Sequence, residues 1–93
     1  MILYTIQFEL HPDKANEFAL SWKYFCEHTR ETEGLRDCKM MEIPGKCQEI
    51  SMTWTERYHL NKFMRGDWYT FLQGAVNVLG DKSVITQRDV QSE

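Results

Sequence analysis

No apolar run in this chain approaches the roughly 20 residues needed to cross a bilayer, so no membrane partner is expected. Basic clusters are missing too. Eleven Lys and Arg stand against 14 Asp and Glu, scattered without a stripe, and at a net charge of −3 nucleic acid is a poor partner. The three cysteines, Cys26, Cys38 and Cys47, form no CxxC pair and are odd in number, which reads as reduced thiols of a cytoplasmic protein. Low-complexity segments and short-period repeats are also lacking. The opening MILYTIQFEL has neither a basic n-region nor a small-residue cleavage site, and reads as a strand rather than a targeting signal.

What is present is a core in a short chain. At 42% hydrophobic and 13% aromatic, 93 residues suffice for one folded domain spanning 1–93 and leave no room for a second. A domain this small gains burial by pairing with a second copy.

Residues 2–10 alternate, with Ile2, Tyr4, Ile6, Phe8 and Leu10 on one side and Leu3, Thr5, Gln7 and Glu9 on the other. His11-Pro12-Asp13 breaks that strand and opens a long helix to about Thr32, whose apolar face runs through Ala15, Phe18, Trp22, Phe25 and Cys26. Glu33-Gly34 supplies the stop, with glycine in the left-handed region. Residues 35–42 and 47–55 form a hairpin about the Ile43-Pro44-Gly45-Lys46 turn. Thr55 is placed to cap a short helix over 56–65, and Asp67 a second over 68–79 that Gly80 closes. Residues 83–91 make a last strand, followed by a polar tail.

The order βαββααβ predicts an α+β, ferredoxin-like fold, a four-stranded antiparallel sheet with helices on one face. Ile2, Tyr4, Ile6, Phe8, Ile50, Met52 and Trp54 face the helices. Thr5, Gln7, Glu9, Glu49, Ser51 and Thr53 face away, toward solvent or another subunit.

Particular positions resemble the antibiotic biosynthesis monooxygenase domain of the dimeric α+β barrel group. They are Leu10-His11-Pro12 ending the first strand, Gly34-Leu35 opening the second, Trp54, Glu56 and Leu60 at the end of the third, and Trp68, Phe71 and Leu72 in the last helix. The resemblance covers nearly the whole chain. It implies a homodimer with two sheets facing each other as a barrel, and a cofactor-free monooxygenase acting on a quinol, anthrone or similar small aromatic between sheet and helices. A catalytically silent, small-ligand-binding dimer is the other outcome the resemblance allows. Heme-degrading relatives carry an Asn and a His where this chain has Ile6 and Gln73, so a heme role is not expected. Many relatives also have a His where Phe63 stands.

Trp54 either stacks on an aromatic substrate or serves as a core tryptophan whose N–H finds a carbonyl. Tyr4 and Tyr58 place a phenol in the pocket or at its rim, Tyr4 being favoured because it shares the face of Trp54. Gln73 either lines a polar pocket or lies at the rim. Trp54, Tyr4 and Gln73 are thus the catalytic candidates, and Tyr4, Ile6, Met52, Trp54, Trp22, Trp68 and Gln73 the expected pocket. Trp22, Phe25, Trp68 and Phe71 also fit plain core at helical spacing. His11, His28 and His59 lack the spacing of metal ligands, so no metal is expected. Cys26 and Cys38 read as small core residues, and Cys47 as a strand-start thiol open to solvent.

Overall fold

A computed structural model describes residues 1–44 and 47–90. Strand β1 (Ile2–Leu10) leads through a single 3-10 turn at Pro12–Lys14 into helix α1 (Ala15–Thr29). Strands β2 (Leu35–Ile43) and β3 (Cys47–Trp54) follow, then helices α2 (Arg57–Met64) and α3 (Asp67–Leu79), and strand β4 (Gly80–Asp89). The strands form one antiparallel sheet in the order β2-β3-β1-β4, with β1 central because both crossovers return the chain to its flanks. This is the α+β, ferredoxin-like arrangement that the alternation and helical periods predicted.

Register sets the core. Ile2 lies opposite Trp54, Tyr4 opposite Met52 and Ile6 opposite Ile50, so one pleat of the two central strands delivers all six side chains to the helices. They pack with Phe18 and Phe25 of α1, Leu60 and Phe63 of α2, and Leu72, Val76 and Leu79 of α3. The other pleat is polar: the Thr5 and Thr86 hydroxyls are hydrogen-bonded, and Gln7 Nε2 donates to Glu49 Oε1 at 3.1 Å.

Several boundaries differ from the sequence reading. Helix α1 ends at Thr29, not Thr32: the Thr29 hydroxyl bonds back to the Phe25 carbonyl at 2.7 Å, and the next residues form tight turns closed by Thr32 N to Thr29 O at 2.9 Å and Leu35 N to Thr32 O at 3.1 Å. Gly34 does take the left-handed region, at φ 85°. Neither expected cap acts as one. Glu56 and Gly66 hold the N-cap positions of α2 and α3 without side-chain hydrogen bonds, and Asp67 lies inside the first turn, where its charge complements the helix dipole.

Strand β4 begins at Gly80, three residues before the expected start, so α3 passes into it without a loop. A side chain at Gly80 would come within 2.8 Å of Phe8 Cδ2 and 2.9 Å of the Glu9 carbonyl, which is why glycine lets the chain turn so close to β1. Lys82, at φ 55°, takes up the bulge where the β1–β4 register slips between Gln7 and Glu9. The Gly45-Lys46 half of the hairpin turn, the expected reach of the last strand to Gln91, and the polar tail lie outside the described residues.

Candidate functional site

Tyr4 is the polar group that the sheet carries deepest. It is fully buried on the central strand, and its hydroxyl lies 2.6 Å from that of Tyr69 on α3. Gln73, one helical turn further along, donates from Nε2 to the Tyr69 oxygen at 3.0 Å. The result is a continuous chain, Tyr4–Tyr69–Gln73, running from the sheet to the helix. Burial, and then Tyr69, push the Tyr4 phenol well above the ordinary tyrosine range, so it keeps its proton. Beyond the Gln73 amide, a crevice of about 30 Å³ bordered by Ile6 and Ile85 is no bigger than the share of one water.

The roomier space lies at the end of the helix layer. A cavity of about 230 Å³ opens between His59, Lys62 and Phe63 of α2, Trp68 at the start of α3, and Thr32 and Glu33 of the α1–β2 turn. Its walls are aromatic and its rim carries an imidazole, an ammonium and carboxylates. The α1–β2 turn comes close because Gly34 has no side chain, since a Cβ there would overlap His59, and because the Gly34 carbonyl accepts the Thr55 N–H at 2.8 Å. Trp68 is stiffened from outside by His28, stacked on it at 4.9 Å and 25°, and by Tyr24 edge-on at 5.5 Å.

Phe63 joins the two regions. Its ring borders the cavity, and Trp54 at 5.1 Å, Tyr69 at 6.0 Å and Phe25 at 6.1 Å pack on it from the interior. The Trp54 indole N–H is buried and meets no acceptor among the described residues, contrary to the carbonyl partner that the core reading supplied. A buried donor left without a partner is uncommon and costs about 1–3 kcal/mol.

The sequence candidates therefore divide into groups. Tyr4 and Gln73 are brought together, through a Tyr69 that sequence reasoning passed over. The available signal was the i, i+4 spacing of Tyr69 and Gln73 on a helix that faces the Tyr4 pleat. Met52 and Trp54 are fully enclosed, Ile6 reaches only the small crevice, and Trp22 stacks on Phe25 at 5.7 Å away from the cavity. Trp68 borders the cavity, together with His59 and Lys62, which the pocket expectation did not include. Tyr58 is exposed and stands beside His59. Cys47 is half-buried, its thiol donating to the Gln48 carbonyl, rather than open to solvent. Among the described residues, no three His, Cys, Asp or Glu side chains gather as a metal site would need. Nor is any helix among them long and apolar enough to cross a membrane.

Comparison with solved structures decides the architecture. A candidate antibiotic biosynthesis monooxygenase from Deinococcus radiodurans matches with a TM-score of 0.87 over 100% of this chain and 95% of its own, at 14% identity. The chain has the fold of the antibiotic biosynthesis monooxygenases. A point variant of SnoaB, a cofactor-independent oxygenase from Streptomyces nogalater, matches at 0.82 over 99% of this chain and 94% of its own, at 12% identity. A conserved protein from Methanosarcina mazei matches at 0.85 over 97% and 92%, at 18% identity. No protein-family model and no curated protein sequence matches the chain significantly. At such identities the likeness to the monooxygenases is one of fold, and each functional residue has to be argued from its own surroundings.

Proposed function

We propose that this chain is a cofactor-independent monooxygenase of the antibiotic biosynthesis monooxygenase family, a single 1–93 domain acting as a cytoplasmic homodimer on a one- or two-ring phenol or quinol. The observation that carries the proposal is the cavity between Phe63 and Trp68, with His59 and Lys62 at its rim. Its volume of about 230 Å³ is below the roughly 300–1,000 Å³ of drug-sized ligand sites, which favours a small quinol over a three-ring anthrone. Three unpaired cysteines fit a reducing cytoplasm.

The chemistry makes modest demands on the protein. Phe63 and Trp68 sandwich the ring, His59 takes the phenolic proton, and the Lys62 ammonium favours the phenolate. The electron-rich anion then reacts with dioxygen at a ring carbon that carries hydrogen, ortho to its oxygen in a quinol and ortho or para in a simple phenol. One oxygen atom is kept on that carbon in place of the hydrogen, and the other leaves as water. The ring ends at the quinone level, and the substrate supplies all the electrons. Tyr4, Tyr69, Gln73 and Trp54 act from behind Phe63, holding the wall of the cavity rather than touching substrate.

Oxygen uptake by metal-stripped protein, over a panel of hydroquinones and anthrones, tests this reading. Turnover of the smaller phenols that falls at least tenfold in His59→Ala and in Trp68→Ala supports it, and no uptake with any one- or two-ring phenol overturns it. The second reading, a ligand-binding domain without catalysis, is favoured by Tyr4, Met52 and Trp54, which fill the space between sheet and helices with the protein's own side chains. Quenching of Trp68 fluorescence by the same phenols, without oxygen uptake, would select it.

A further inference from the structure

Trp68 meets the cavity on one side and a group of rings on the other. His28, in the last turn of α1, lays its imidazole nearly flat on the indole, with 4.9 Å between centroids and 25° between planes. Tyr24, one turn earlier, meets the indole edge-on at 5.5 Å and packs on the imidazole at 4.3 Å. Phe71 closes the group, 5.6 Å from Trp68 and 5.7 Å from Tyr24. The cavity is lined by Trp68 and by none of those three, so they act on the indole from outside it. His28 is itself fixed. Its Nδ1 lies 2.9 Å from the Tyr24 backbone carbonyl, which can only accept, so Nδ1 carries the proton of the neutral ring. Nε2 is then the nitrogen left to titrate, on a residue exposed to solvent.

We propose that His28 is a positioning residue for the cavity wall, and that protonation at Nε2 tightens its hold on Trp68 and raises the cavity's affinity for phenols. This is a regulation of the proposed phenol site and stands on that reading of the cavity. The neutral imidazole contributes a stacked contact. The imidazolium adds a cation over the indole face, an attraction that at an exposed site amounts to about two- to fivefold in an equilibrium constant. A wall already held in place need not be ordered when a ligand arrives. An indole polarised toward His28 also offers the cavity a less electron-rich face, which suits an electron-rich phenol.

Other ionisable groups stand on the elements around this stack. On α1 and its following turn they are Tyr24, one turn before His28, with Glu27, Glu31 and Glu33. Asp67 precedes Trp68 in the first turn of α3, and His59 and Lys62 of α2 line the cavity beyond the indole. All of them are retained when only position 28 is changed, so a difference between variants at that position belongs to His28.

Proton NMR of the wild type between about pH 5 and 8 is the first arm of the test and needs no ligand. The ring protons of His28 are expected upfield of those of His11, under the Trp68 and Tyr24 rings, and the Trp68 indole N–H is expected to shift with the His28 midpoint. The second arm is anaerobic equilibrium dialysis of hydroquinone with wild type, His28→Ala and His28→Phe at both ends of that range. Wild type is expected to gain about two- to fivefold in affinity on acidification beyond any change seen in His28→Phe. His28→Phe keeps the stack and should match wild type at the alkaline end, whereas His28→Ala should bind more weakly at both. His28 protons at unstacked positions, or affinities that ignore position 28 while hydroquinone still binds, would overturn this inference alone. No binding by any of the three, with the stack present in the spectra, would remove the phenol site and its regulation together.

Discussion

At the scale of single residues, one hydroxyl tests the buried hydrogen-bonded chain. Tyr69→Phe leaves the Tyr4 hydroxyl and the Gln73 amide facing each other across a lost partner, and should lower unfolding free energy by about 1–3 kcal/mol in urea titration. Tyr4→Phe should cost less, because it removes a buried polar group outright and leaves Tyr69 bonded to Gln73. Equal stability of Tyr69→Phe and wild type would show that the chain is not closed in solution. The same residues set an alkaline limit. Tyr4 and Cys38 both bind their protons more tightly folded than unfolded, Cys38 up to about 12 from 9.0. The unfolded chain therefore loses protons first as pH rises, and stability that is complete below pH 9 should decline from there upward. In Tyr4→Phe the part of that decline beginning near pH 10 should disappear, as thermal melts in a pH series would read. Trp54→Phe makes a separate point. Its indole N–H has no partner to lose, so the substitution should cost only packing, well under the 3–5 kcal/mol of truncating a buried tryptophan to alanine.

At the scale of elements, the α1–β2 turn is where local conformation and site geometry meet. Gly34→Ala forces a Cβ into the left-handed region and into His59, and should cost about 1–2 kcal/mol for the backbone alone, with more from the overlap. Placing the substitution in a His59→Ala background should recover the overlap and leave the backbone cost, a coupling that a double-mutant cycle in urea measures. Simple additivity would mean that the turn and α2 are not in contact. The same turn shows which features a sequence carries. Alternation in β1 and β3 and the apolar face of α1 are periodic properties of the residues themselves, so the elements, their order and the inward pleat from Ile2 to Phe8 could be read directly. The end of α1 at Thr29 and the start of β4 at Gly80 depend on contacts with Phe25, Phe8 and Glu9, and no periodicity reports those. The site was legible in the same uneven way. Tyr4 and Gln73 stand out by type and position, but their link through Tyr69, and a cavity built by the α1–β2 turn closing on His59, exist only once the helices are packed.

At the scale of the whole molecule, the question is what the open face of the sheet does. That face is concave, about 550 Å³ in volume, with Leu3 and Met41 among Gln7, Glu49, Lys39 and Arg88. Acidic and basic groups are mixed across it, so two copies related by a two-fold axis can oppose unlike charges over an apolar patch. We therefore expect light scattering at micromolar concentration to give twice the 11.1 kDa chain mass. Thr53→Arg sets a bulky charge on central strand β3, within this face and away from the helices, and should yield a folded monomer with unchanged circular dichroism and a lower melting temperature. A wild-type monomer, or a Thr53→Arg dimer, would remove this face as the interface. The variant also separates assembly from chemistry. The cavity beside His59 and Trp68 belongs to the helix layer, on the other side of the sheet, so the Thr53→Arg monomer should bind phenols with an affinity within about twofold of the dimer. Loss of binding together with the dimer would mean that the second copy completes the site across the sheet.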